Sequence, residues 1–240
     1  MSAPVPPPLE SVLKAFTVDH ARRAIYFDYE GIPTKPPILL GWMVDEKYTA
    51  AILDDAYRDC AGRRYARTVI QGEHTTVAEA LVRQAVTEDR HLVSWSWHDL
   101  KQIWPQLKAG SQGRLRERFV NAIRVARPWH HKHFKVVPLV GARLPYFAQA
   151  VAMNIPEKYG DKVVADHLGT VRNALTEHGT YGKMSPDDRQ SWIRVVGHNK
   201  WDLQATSAVV VHVREGRAPD PNFDPFAHFA ALVGADTSDA

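Results

Sequence analysis

The stretch AIYFDYEGIP, residues 24–33, sets the reading of the whole chain. Ala24, Ile25, Tyr26 and Phe27 form an apolar run, so residues 24–30 are expected to be a buried strand. Side chains at i and i+2 share one face of a strand. Asp28 and Glu30 should therefore point the same way, at the strand's far end. Two carboxylates this close repel, and burial raises their pKa values. A divalent cation, which takes oxygen ligands, resolves that conflict. Taken alone, Asp-x-Glu reads better as a strand running into a solvated acidic loop, so the metal reading needs support from elsewhere.

Outward from this strand, residues 1–8 read as a proline-rich lead-in and residues 9–16 as a short amphipathic helix. Residues 38–44, 48–53 and 67–70 read as further strands, with a hairpin turn at Asp45-Glu46-Lys47. Their short connections predict an antiparallel start to the sheet. Residues 75–88 read as a helix capped by Thr75 or Thr76, and residues 92–97 as the next strand, with Asp99 just beyond it. Helices are expected over 98–107, 115–129, 145–153, 161–177 and 185–215. For the last, Ser185 is the N-cap, Pro186 lies in the first turn and Gly216 is placed at the C-terminal cap. Phe223, Phe226 and Phe229 of the tail are expected to pack back on the body. The fold class predicted is α/β, a mixed sheet flanked by helices. The division is a lead-in over 1–20, one domain over 21–216 and a tail over 217–240.

The chain has 240 residues, a net charge of +3 and a single cysteine, Cys60. One cysteine excludes an intrachain disulfide and fits a reducing, cytoplasmic setting. No apolar run approaches the ~20 residues that span a bilayer, so no membrane partner is expected. The N-terminus has neither a basic nor an apolar signal region. A charge of +3 permits a polyanionic partner without demanding one. No P-loop, dinucleotide-binding turn or nucleophile elbow occurs.

Two more segments support the metal reading. In GHNKWDLQAT, residues 197–206, His198 and Asp202 are four apart, which stacks them on one helical face with Cβ atoms roughly 6 Å apart. Asp202 suits a metal ligand and His198 a base; the plain alternative is a His/Asp pair on a wet face. Gly197, inside the helix, would let something approach the backbone. In HLVSWSWHDLKQI, residues 91–103, a strand ends and Asp99 opens a helix, either as a cap or projecting over the same sheet end. Hydrolysis of a phosphodiester needs charge neutralised on several oxygens, which two cations about 3.5–4 Å apart can do. Such cations need carboxylates from separate elements.

The order Asp28, Glu30, Asp99, Asp202, with His198 ahead of the last acid, resembles the ribonuclease H-like DEDD exonucleases. The chain looks closest to the exonuclease domain of the YprB-like and RecB-like nuclease families. FDYEG, VSWSWHD and HNKWD stand where those families carry Asp-x-Glu, a single acid at a strand–helix junction, and an aromatic or His ahead of Asp. The resemblance spans about residues 24–213 and implies a ribonuclease H-like sheet and 3′–5′ exonuclease activity on DNA or RNA. It implies two Mg2+ or Mn2+ ions on Asp28, Glu30, Asp99 and Asp202, with Asp28 bridging and His198 as general base. Three residues separate His198 from Asp202, the spacing usual in the family's tyrosine subgroup rather than its histidine subgroup. The alternative on the same fold is a nucleic-acid-binding module with catalysis weak or lost.

Other motifs have plainer readings. PWHHKH, with His130, His131 and His133, matches no familiar zinc spacing and reads as a basic helix end that, beside Arg124, Arg127 and Lys132, can touch phosphates. Trp95, Trp97, Trp104 and Trp129 read as core, and Trp201 as a candidate for substrate contact. Arg63, Arg64 and Arg67 read as solvated surface. Cys60 lacks a His partner motif.

Overall fold

The computed structural model describes residues 5, 9–63, 68–135, 143–156 and 164–226. One six-stranded sheet has the order β4-β3-β2-β1-β5-β6. The strands are β1 (Ile25–Gly31), β2 (Pro37–Val44), β3 (Lys47–Ile52), β4 (Val69–Gln71), β5 (Leu92–Ser94) and β6 (Phe119–Asn121). β1, β2 and β3 are antiparallel neighbours, and β5 and β6 join parallel to β1. Three antiparallel strands followed by two parallel ones beyond the first make this a ribonuclease H-like α/β sheet, with β4 added at the edge. Asp45 and Glu46 both have positive φ, 47° and 64°, the primed turn that a two-residue hairpin requires.

The helices are α1 (Glu10–Ala15), α2 (Val18–Arg23), α3 (His74–Thr87), α4 (Trp97–Ile103), α5 (Ala109–Arg118), α6 (Ala122–His133), α7 (Leu144–Ala150), α8 (Val164–His178) and α9 (Pro186–Arg214). They form two layers. Ile25, Phe27 and Tyr29 of β1 pack with Leu81 and Val82 of α3, Leu100 of α4 and Leu115 of α5. Tyr26 faces the other way, in one core with Leu168 and Val171 of α8 and Trp192 and Val195 of α9. Asp28 and Glu30 follow Tyr26's parity and so face the α9 layer. α9 is set by Ser185, whose hydroxyl accepts from Asp188 N, and closed at Gly216, φ 70°. Gly216 N donates to Val213 O and Arg217 N to His212 O, a Schellman end.

Several expectations need correcting. β4 pairs parallel to β3, not antiparallel. The expected helix over 115–129 is broken by β6, whose three residues are all buried. A short buried strand has no periodicity to set it apart from a buried helix segment. Glu73, not Thr75 or Thr76, caps α3, because its longer carboxylate reaches the N–H groups of both threonines. The short helix expected over residues 9–16 is present as α1, with Val12 and Phe16 in the core. Phe223 packs on Phe134 and Tyr146 as expected, Phe226 is exposed, and Phe229 lies outside the described residues. No described helix is long and apolar enough to cross a membrane.

Candidate metal centre

Three elements bring the predicted acids together. β1 supplies Asp28 and Glu30 at its C-terminal end, beside a register shift between Glu30 and Gly31. Bulges bend a strand and re-aim its side chains. α4 supplies Asp99, and the middle of α9 supplies His198 and Asp202. Glu30, His198 and Asp202 each offer a ligand atom within 4.8 Å of the other two. His198 Nε2 lies 3.4 Å from Asp202 Oδ2. His198, expected as a base only, thus also stands at ligand distance.

Asp99 answers to both of its expected readings. Ser96 is the N-cap of α4 and Asp99 sits in the first turn, accepting from the Ser96 hydroxyl at 3.3 Å. Its other oxygen accepts from Tyr29 N at 3.3 Å, which ties α4 to β1. β5 pairs only as far as Tyr26 on this side, so the Tyr29 N–H is free to do so.

Asn199 is a residue the sequence reading passed over. It is fully buried, and its Nδ2 donates to Asp28 Oδ2 at 2.8 Å and to the Asp28 carbonyl at 3.2 Å. Its Oδ1 accepts from the Tyr48 hydroxyl at 3.0 Å. Gly41 is the register partner of Asp28, and a Cβ there would lie 1.7 Å from Asn199 Oδ1. The glycine that admits a close approach is therefore Gly41; Gly197 faces open space. Gly41→Ala should cost about 2–3 kcal/mol by displacing a buried, doubly bonded amide. Gly197→Ala should gain up to about 1 kcal/mol from helix propensity. Chemical denaturation of the two variants checks the contrast.

Burial and the charges of neighbouring acids dominate the electrostatics of the cluster. Burial, then the charges of Glu30, Asp99 and Asp202, holds Asp28 well above the carboxylate range. Burial lifts Glu30 to about 8, offset in part by His198, with Asp202 and Asp99 pushing the same way as burial. Asp99 is raised by burial to about 6 against the hydrogen bonds it accepts. Burial lowers the His198 pKa, but the hydrogen bond and charge of Asp202, with Glu30, outweigh it and the net shift is upward. Glu30 Oε1 is buried with no hydrogen-bond partner. A hard-oxygen donor set with an orphaned carboxylate oxygen fits Mg2+ or Mn2+.

An acid whose pKa is higher folded than unfolded binds more protons when folded, so its stabilisation is present at low pH and lost as pH rises through the folded value. The metal-free chain should therefore lose stability from about pH 4 to about pH 8. The fall should amount to several degrees in melting temperature. Melts at pH 5 and pH 8 in chelator should show it, and Mn2+ should remove the difference.

The remaining candidates are structural. Trp201 is buried, and its Nε1 donates to Asn154 O, so it is not a stacking platform. His130 is buried against Tyr146, Nε2 to hydroxyl 2.9 Å, which corrects its reading as part of an exposed basic end; His131 and Lys132 are exposed. Trp104 and Trp129 are core, while Trp95 and Trp97 are partly buried. Arg63 pairs with Asp59, and Arg64 and Arg67 lie outside the described residues. Burial pushes the Cys60 thiol up to about 12, which makes it a poor nucleophile. A cavity of about 380 Å³ opens beside Glu30, lined by Tyr29, Pro33, Lys35, His98 and Gln102 among others. Comparison of the chain with protein-family models, with curated proteins and with solved structures returns no match.

Proposed function

We propose that this protein is a metal-dependent 3′–5′ exonuclease acting on DNA or RNA. The observation that carries the reading is the convergence of four mutually repelling acids, Glu30 and Asp99 buried and Asp28 and Asp202 partly buried, with His198 beside Glu30 and Asp202. The exonuclease polarity comes from the resemblance of FDYEG, VSWSWHD and HNKWD to the DEDD exonucleases. Divalent cations at such a site supply charge neutralisation on the phosphate oxygens and a more acidic water.

The chain's own groups have separate tasks. Asp28, Glu30, Asp99 and Asp202 would hold the ions; each carboxylate oxygen in a hydrogen bond keeps a second lone pair. Asn199 fixes the Asp28 carboxylate by bonding its side chain and its backbone together. His198, with its imidazole held by Asp202, takes the proton of the attacking water. The cavity beside Glu30 gives the terminal nucleotide a place, with the His98 and Gln102 side chains on its wall.

The test is incubation of end-labelled DNA and RNA oligonucleotides with Mg2+ or Mn2+. The expected result is stepwise shortening from the 3′ end that chelator abolishes. No shortening of either strand with either metal would remove the catalytic reading; binding without cleavage would leave the alternative of a nucleic-acid-binding module.

A further inference from the structure

The basic end of α6, singled out in the sequence, is not used by the metal centre. In the structure it forms one wall of a cavity of about 430 Å³ between α1, α6 and the C-terminal end of α9. Lys14 of α1, Arg124 and Lys132 of α6 and Arg214 of α9 all line it. Arg214 lies 12 residues beyond Asp202, which is about 18 Å along the helix. The cavity is therefore separate from the carboxylate cluster.

Four cations and no acidic residue line it among the described residues. Glu10 pairs with Arg124. Lys14, Lys132 and Arg214 have no ion pair among the described residues. Backbone carbonyls at this end of α9 already accept hydrogen bonds. Val211, Val213 and His212 carbonyls close the Schellman end, the Arg217 carbonyl accepts from Trp129 Nε1, and the Ala218 carbonyl faces His212 Nε2. Arg214 donates one nitrogen to Leu13 O at 2.9 Å and lays its guanidinium over Phe16, but its Nε is buried with no partner. Burial lowers the Arg214 pKa, and no carboxylate opposes the effect. A buried donor on an uncompensated cation is costly unless an acceptor reaches it.

We propose that this cavity is a phosphate-binding site, with the ammonium groups of Lys14 and Lys132 and the Arg214 guanidinium as its cationic lining. Phosphate matches the set because it is an oxyanion with enough acceptors for several cationic donors at once. The phosphate comes from a free nucleotide or from the backbone of a nucleic-acid strand. Arg214 also braces α1, so the lysines are the residues to change.

The experiment uses the full chain in chelator, which keeps the result independent of the metal centre and of cleavage. Wild type and Lys14→Ala/Lys132→Ala are titrated with inorganic phosphate, a 5′-mononucleotide and a short single-stranded oligodeoxynucleotide. Binding is followed by the Arg214 Nε–H and Trp129 indole resonances and by affinity against salt. Wild type should shift both resonances, and the double variant should bind about tenfold more weakly. If the strand is the source, the salt slope of oligonucleotide binding should flatten by about 0.7 for each lysine removed. If a free nucleotide is the source, only phosphate and mononucleotide binding should weaken. Lys132→Glu, an exposed change on α6, should abolish the shifts if the double variant folds poorly. Resonances that move with none of the three ligands, or ligand affinities unchanged in the variants, would overturn the proposal.

Discussion

Asp28→Asn is expected to lower metal-dependent cleavage by about 10³-fold or more, because a lost charge-stabilising ligand is worth several kcal/mol in the transition state. The fold should survive, since Asn keeps an oxygen to accept from Asn199 Nδ2, the bond seen at 2.8 Å. The metal-free variant should melt higher than wild type at pH 8, because one of four mutually repelling carboxylates is gone. The two effects separate site from scaffold: activity falls while apo stability rises. Single-turnover rates in Mn2+ and melts in chelator read them. Unchanged turnover would remove Asp28 from the metal site.

His198→Ala should cost on the order of 10²–10⁴ in rate, the contribution of a positioned base. In the metal-free protein Asp202 and Glu30 lift the imidazole above its ordinary value of about 6.5, despite burial. NMR titration in chelator should find that upward shift, and added Mg2+ should reverse it, since cations disfavour the imidazolium. The rate should rise with pH as the imidazole loses its proton. His198→Tyr, at the spacing usual with tyrosine, should retain partial activity with an altered pH profile. Because His198 stands within ligand distance of Glu30 and Asp202, Mn2+ affinity of the alanine variant is the discriminating measurement. Unchanged affinity assigns a base alone, and a clear loss assigns a ligand as well. Wild-type rate and pH profile in His198→Ala would sink the base assignment.

The sheet's centre was legible because local chemistry and tertiary role agree there. The run before Asp28 is apolar on both parities, as a strand between two helix layers must be. α9 was legible from Ser185, Pro186 and Gly216, each of which acts in the structure as its type predicts. β6 was not, because RERFVNAIR lies between two helices and three buried residues carry no period. Its one local sign was Asn121, whose side chain accepts from Arg124 N and starts α6. Within the site, paired acids were visible as spacing, whereas Asn199, Tyr48 and Gly41 were not. Their meaning is a contact between β1, β2, β3 and α9, and nothing in the order of residues announces which amide will meet which glycine.

The amide of Asn199 reaches Asp28 across 171 residues of chain. The contact therefore closes a loop that spans most of the chain. During synthesis the β1 acids emerge well before the helix that holds them, and the domain cannot complete the site until α9 has left the ribosome. A chain released before α9 would carry Asp28, Glu30 and Asp99 without His198, Asn199 or Asp202, and so only half of the side chains that the candidate site brings together.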